Sequence, residues 1–387
     1  MRTLNVALIG QNFMGKAHSH AWLNAGRFFD LPAKPVLKVA VGRNQEALRT
    51  FAERWGWQET ASDWRAVVQR DDIDVVDVSV PTDLHAEIAI AAAEAGKHVF
   101  CEKPIALSSA EARRMLDAAE RAGVVHYLNH NYRRTPAVML AKQLIDEGFV
   151  GRIFHWRGAY LQDWIADPSF PLTWHLQAEH AGAGPHFDLG SHNVDLARFL
   201  VGEISGVNAM TARFVEERPL PGAGAATFSA GAGGSGDTGP VTVEDAAFVV
   251  AEFANGALGT IETSRFALGR KNQHTFEIYG SDGSIVFDLE RMNELQVYSR
   301  HDPEHVRGFR TVLATEGVHP YVEAWWPPGH MIGYEHAFHH AVVDFVRAVV
   351  DGSPIAPTFA DGLRATLVLE AALEAARSGR RVEVEEP

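Results

Sequence analysis

Short runs of branched apolar residues alternate with stretches of helical spacing through the first third of the chain. Residues 4–9 (LNVALI) are such a run, ending at Gly10, and an amphipathic segment containing Ala17, Ala21 and Leu23 follows. This order predicts a strand, a tight turn and a helix. The alternation continues with a strand over 36–41, a helix over 44–55, a strand over 74–80 and a helix from Asp83 that Gly96 closes. Residues 97–102 predict the next strand. Ser108 and Glu111 form a capping box for a helix to Ala122, Gly123 ends it, and residues 124–129 predict another strand. Strands joined by helical crossovers make a parallel sheet covered on both faces, so an α/β, doubly wound domain is expected over residues 1–130.

After Gly148 the period changes. Residues 152–162, 208–217, 246–253, 258–267 and 274–290 alternate as longer strands with few helices between them, which predicts a C-terminal α+β domain over 131–387 with an open, mostly antiparallel sheet. Residues 219–240 are rich in Gly, Ala, Ser and Pro and read as a mobile loop. Helices are expected over 334–350 and 361–378, packed on one of the two domains.

A chain of 387 residues with 46% hydrophobic content fits two domains. The net charge of −14 argues against nucleic acid and anionic membranes as partners and leaves small molecules. The single cysteine, Cys101, forms no internal disulfide, and MRTLNVALIG lacks the apolar region of a secretory leader. A cytoplasmic protein is expected, and no apolar run reaches the roughly 18 residues of a membrane helix.

The first turn, Gly10-Gln11-Asn12-Phe13-Met14-Gly15, keeps the outer glycines of a dinucleotide turn and has Asn12 at the middle one. The first glycine permits the tight turn, the last permits close helix–strand contact, and the helix N-terminus offers N–H groups to a pyrophosphate. Asparagine tolerates positive φ, so the loop survives it; an ordinary βα turn has the same spacing. These features make the first domain Rossmann-like. Gly42 stands where an acid would hold the ribose of NAD, and Arg43 beside it leans toward NADP or dual use.

Lys103 follows a strand at its C-terminal end, flanked by Glu102 and Pro104, where open α/β sheets place ligands. It is a candidate to stabilise charge on a substrate oxygen, or else a surface partner of Glu102. If Pro185 opens a helix, Asp188, His192 and Asp195 share one face. His192 is then the general-base candidate, with Asp188 or Asp195 to orient it or to anchor sugar hydroxyls; a buried structural histidine is the alternative. His336, His339 and His340 have metal-compatible spacing, but no metal is expected. Trp164, Trp174, Trp325 and Trp326 lie beside loops, where an aromatic face suits a sugar ring or simple packing.

With the Gly10–Gly15 turn, then Ser79, Pro81, Thr82 and His85, then Glu102-Lys103-Pro104, then Asp188 to Asp195 in that order, the sequence resembles the glucose-fructose oxidoreductase/inositol dehydrogenase (Gfo/Idh/MocA) family over nearly its whole length. The resemblance implies an oxidoreductase that joins a Rossmann fold to an open-sheet domain, forming homodimers or homotetramers through that sheet. It implies Gly10, Asn12, Phe13, Met14, Gly15, Arg43, Ser79, Pro81, Thr82, His85, Glu102 and Lys103 at the cofactor. Lys103, His192 and Asp188 are implied as catalytic. Phe13 to Ser19, Asn131 to Ala137, Tyr160 to Trp164, and Ile332 to Tyr334 are similar to the family's pyranoside 3-dehydrogenase branch. That similarity implies NAD, oxidation at C3, and sugar contacts from Tyr132, Gln162, Trp164, Asp188, His192 and Tyr334.

Three functions follow as expectations. The first is oxidation of a ring hydroxyl of a pyranose, anhydrosugar or glycoside with NAD(P). The second is an NAD-dependent, redox-neutral glycosidase that oxidises C3 transiently and uses an extra base such as Tyr132 or His175. The third is a non-catalytic dinucleotide or sugar sensor, against which the intact Lys103, Asp188 and His192 argue.

Overall fold

The computed structural model describes residues 2–221 and 236–386 and divides into two compact units. The first begins with β1 (Arg2–Ile9), α1 (Phe13–Phe28), β2 (Ala33–Val41), α2 (Gln45–Trp55), β3 (Glu59–Ala61), α3 (Trp64–Val68), β4 (Val75–Val78), α4 (His85–Glu94), β5 (His98–Cys101), α5 (Ser109–Ala122) and β6 (His126–Leu128). All its strands pair in parallel, in the order β3-β2-β1-β4-β5-β6. The order reverses between β1 and β4, so their C-terminal ends form the crevice where such sheets bind ligands. Local chemistry explains the boundaries. Asn44 accepts from the Ala47 N–H at the start of α2, and Ser108 accepts from Glu111 N–H at the start of α5. Glu111 reaches back to the N–H of Leu107, and Gly123 ends the helix at φ 64°. The short strand β3 escaped sequence reading because Glu59–Ala61 carries no apolar run.

The chain continues through α6 (Pro136–Asp146), β7 (Ile153–Leu161), α7 (Ala178–Ala181), α8 (Pro185–Asp188), α9 (Gly190–Leu200), β8 (Ile204–Ala212), β9 (Glu217–Pro219), β10 (Thr238–Pro240), β11 (Ala246–Phe253), β12 (Leu258–Ser264), β13 (Gln273–Gly280), β14 (Gly283–Asp288), β15 (Glu294–Ser299) and β16 (Arg310–Leu313). It closes with α10 (His336–Asp351), α11 (Phe359–Ser378) and β17 (Val382–Glu383). The second unit's sheet runs β16-β15-β14-β13-β7-β12-β11-β8-β17, antiparallel except where β12 lies parallel to β7. Residues 222–235, most of the stretch read as a mobile loop, lie outside the described residues; its two ends pair as the antiparallel ribbon β9–β10.

Compactness does not follow chain order. Thr315–Leu363 belongs to the first unit, where Phe338, Val342, Phe345 and Val346 of α10 enter the same core as Leu4, Val6, Leu8 and Trp22. Burying each such side chain is worth about 1.5–3 kcal/mol, so α10 is as much part of that core as α1. Among the described residues no helix is long and apolar enough to cross a membrane.

Candidate active site

The dinucleotide turn is built on close backbone approach. Gly10 has φ 114°, and a Cβ there would lie 2.1 Å from the Ser79 carbonyl oxygen; a Cβ on Gly15 would lie 2.3 Å from the Gly10 oxygen. Neither position admits a side chain. Asn12 does not use its tolerance for positive φ: it is extended, at φ −81°, and its side chain leaves the first turn of α1 uncapped. An uncapped first turn beside two obligatory glycines is a cradle for a pyrophosphate, so the residues present fit NAD. Phe13 is exposed and Met14 partly so. At the end of β2, a Cβ on Gly42 would lie 2.2 Å from the Gln11 carboxamide oxygen. The missing acid is therefore matched by a side chain that fills its space, while Arg43 is exposed.

Around the ends of β4 and β5, Ser79, Thr82, His85 and Glu102 are all buried. Ser79 Oγ donates to Asp77 at 2.9 Å. His85 sits between two carbonyls, with Nδ1 2.9 Å from Pro104 O and Nε2 2.9 Å from Val80 O. The ring lies between the backbones after β4 and β5, and burial lowers its pKa. Pro81 and Lys103 remain partly exposed. Tyr132 and Tyr334 come together in the same unit, ring centroids 6.4 Å apart, and Tyr334 stacks on Phe13 at 6.1 Å.

In the second unit the helix expected from Pro185 is interrupted at Leu189, so Asp188 ends α8 and His192 lies in α9. The break is a single residue: Leu189 keeps a helical backbone at φ −88° and ψ −39°, and Asn193 N–H still reaches Leu189 O across it at 3.4 Å. Arg265, whose side chain is fully buried, donates to Asp188, whose side chain is 31% exposed. The Arg265 guanidinium lies 5.1 Å from the Trp164 ring centroid. Trp164 Nε1 donates to Gln162 Oε1 at 2.8 Å, and Gln162 Nε2 donates to Asn272 Oδ1 at 2.8 Å. Tyr160 donates to the same oxygen at 2.7 Å and stacks on His274; its ring lies 5.8 Å from that of the buried His192. Asp188, His192, Gln162 and Trp164 are thus linked through Arg265, Tyr160, His274 and Asn272.

Sequence reading missed those four linkers. The one available signal was an arginine directly after a strand. Arg133, Arg134, Arg157 and Lys271 pair elsewhere, with Asp361, Asp344, Glu277 and Asp163. The histidines of α10 are packing residues. His340 accepts from Trp325 Nε1 at 2.8 Å and has Nδ1 2.7 Å from Arg134 O, and burial pushes its pKa down to about 3. Among the described residues no group of His, Cys, Asp or Glu is arranged to hold a metal.

Known proteins agree with this architecture along the whole chain. Residues 4–130 match an oxidoreductase family with an NAD-binding Rossmann fold, and residues 138–286 match the GFO/IDH/MocA C-terminal domain. Levoglucosan dehydrogenase of Pseudarthrobacter phenanthrenivorans is 48% identical over 386 residues, 99% of each chain. A crystal structure of an oxidoreductase domain protein from Kribbella flavida is 49% identical with a TM-score of 0.94, and covers all of both chains. A levoglucosan dehydrogenase complex with NADH and levoglucosan is 47% identical with a TM-score of 0.94, again over all of both chains. With the cradle, the two sheets and these likenesses in agreement, the chain belongs to the Gfo/Idh/MocA family of NAD-dependent oxidoreductases.

Proposed function

We propose that this enzyme oxidises a secondary ring hydroxyl, at C3, of a pyranose, anhydrosugar or glycoside. The observation carrying this reading is the full-length likeness to levoglucosan dehydrogenase, and the polar–aromatic cluster around Asp188 and Trp164 supports it. Bound NAD accepts the hydride from the carbinol carbon, and the hydroxyl becomes a carbonyl. His192 takes the hydroxyl proton. Lys103 stabilises the negative charge developing on that oxygen. Asp188, ion-paired to Arg265, presents an ionised oxygen to a sugar hydroxyl, while Gln162, Trp164, Tyr132 and Tyr334 supply amide, aromatic and hydroxyl surfaces suited to a pyranose. Ser79, Thr82 and His85 shape the cofactor side through the backbone after β4. Arg43, exposed at the end of β2, is positioned for the adenosine end and keeps NADP in the assay.

A second reading, the redox-neutral glycosidase, draws on His175, which is buried and lies 5.7 Å from the Trp164 ring in centroid distance. It would remove the C2 proton that C3 oxidation acidifies. Purified protein with NAD+ or NADP+ and a panel of sugars, anhydrosugars and aryl glycosides separates the readings. Accumulating NADH is the expected result; aglycone release without net reduction would replace it with the glycosidase.

Copies of the chain assemble through the outer face of the second sheet as a homodimer or homotetramer. Met210, Phe248, Val250 and Leu258 lie on that face, each at least half exposed, with Phe248 paired beside Met210, and with Asn208, Thr260 and Glu262 between them; exposed apolar side chains grouped on one face mark interfaces. Phe248→Glu with Val250→Glu is expected to convert the assembly to monomers by light scattering; an unchanged mass would put the contact elsewhere.

A further inference from the structure

Beneath the Glu102-Lys103 corner the first unit buries a charged cluster that the scheme above leaves unused. His18 projects from α1, and its side chain is 1% exposed. Its Nδ1 lies 2.8 and 3.0 Å from the two oxygens of Asp77, and its Nε2 lies 2.8 Å from Glu102 Oε1. Each carboxylate has further donors. Trp22 Nε1 donates to Asp77 Oδ2 at 2.6 Å and Ser79 Oγ to Asp77 Oδ1 at 2.9 Å. Asn129 Nδ2 donates to Glu102 Oε1 at 2.6 Å and lies 3.1 Å from His18 Nε2, farther than the carboxylate; Ser79 Oγ lies 3.0 Å from His18 Nδ1, and the Lys103 N–H donates to Glu102 Oε2 at 3.2 Å. The rings of Phe100 and Phe338 close over the imidazole at 5.3 and 5.6 Å.

A neutral imidazole has one N–H, so its other nitrogen would set a lone pair against a carboxylate oxygen; an imidazolium donates to both. Two buried carboxylates with no cation between them would repel, and one would take up a proton.

We propose that His18 is a positioning residue, held as an imidazolium, that bridges Asp77 on β4 to Glu102 after β5 and so fixes the backbone presenting Lys103. The inference rests on Lys103 taking part in the oxidation. The surroundings agree in charge. Asp77 and Glu102 are the acids facing the ring; Lys103 adds positive charge beyond Glu102, and burial pushes the Cys101 thiol pKa up and the His85 pKa down. Burial by itself pushes the His18 pKa down, but the charge and hydrogen bond of Asp77, then those of Glu102, carry it up to about 10. Since this lies above the ordinary value of 6.5, the stability His18 confers is full below about pH 6.5 and is lost as pH rises through about 10.

His18→Gln keeps one donor and loses the charge. The variant is expected to lower kcat by roughly 10- to 100-fold, with little change in the sugar KM. Its deficit in melting temperature against the wild type should shrink as pH is raised from about 6.5 to about 10, where a packing defect would stay constant. Unchanged kcat in a folded variant overturns the proposal. Should the variant fail to fold, nitrogen NMR of the 15N-histidine-labelled wild-type enzyme is the test. An imidazolium with both nitrogens protonated at pH 8.5 is expected, and no such signal overturns it. Lys103→Met, run alongside, separates the failures: full activity there removes the role of Lys103 and leaves the imidazolium standing, whereas an inactive Lys103→Met with no imidazolium signal sinks the His18 inference alone.

Discussion

Lys103→Met is expected to lower kcat for NADH formation by roughly 10²- to 10⁴-fold, the range by which a positioned group that manages charge or protons accelerates such a step. Methionine keeps much of the length and apolar stem and removes the ammonium. When hydride leaves the carbinol carbon, negative charge gathers on the oxygen before proton transfer is complete, and a cation fixed beside it stabilises that state more than the ground state. The loss should therefore appear in kcat, with the NAD+ affinity measured by fluorescence titration changed only a few-fold. A Lys103→Met enzyme with near wild-type kcat would take Lys103 out of the chemistry. A large loss of NAD+ affinity with kcat preserved would make it a cofactor-binding residue instead.

Asp188→Asn is expected to destabilise the protein by about 3–5 kcal/mol, the cost of leaving a buried charge without its partner. The side chain of Arg265 is fully buried, so once Asp188 is neutral no water takes the place of the lost countercharge. Arg265→Met should cost less, because Asp188 is 31% exposed and water takes up part of its charge. Urea denaturation of both variants and the double variant reads this asymmetry. If Asp188→Asn unfolds at the wild-type midpoint, the ion pair adds nothing to the fold, and any loss of turnover in that variant belongs to the substrate alone.

Local, short-range features of this fold were legible in the chain. Apolar runs ending at Gly10, capping at Ser108 with Glu111, and glycines at helix ends depend on neighbours within a few residues. They accordingly place β1, α1, α5 and the dinucleotide turn before any contact is known. The alternation of residues 246–253 likewise announced a half-buried strand, and the structure leaves Phe248 and Val250 on its outer face.

Long-range choices were not legible. Which cation holds Asp188 depends on β12 ending beside α8, and Arg265 is 77 positions away. Asp77 and Glu102 lie 59 and 84 positions from His18, and they meet only because β4 and β5 are neighbours under α1. The sequence by itself determined the two sheet types, the glycine turn and the chemical character of Lys103, Asp188 and His192, since these follow from backbone sterics, periodicity and side-chain type. The tertiary structure alone decided that α10 packs with the first unit, that Gln11 takes the space at Gly42, and that Arg265 and His18 carry the buried positive charge. A buried charge is set by whichever groups the strand order brings within about 3 Å, and no spacing along the chain encodes that.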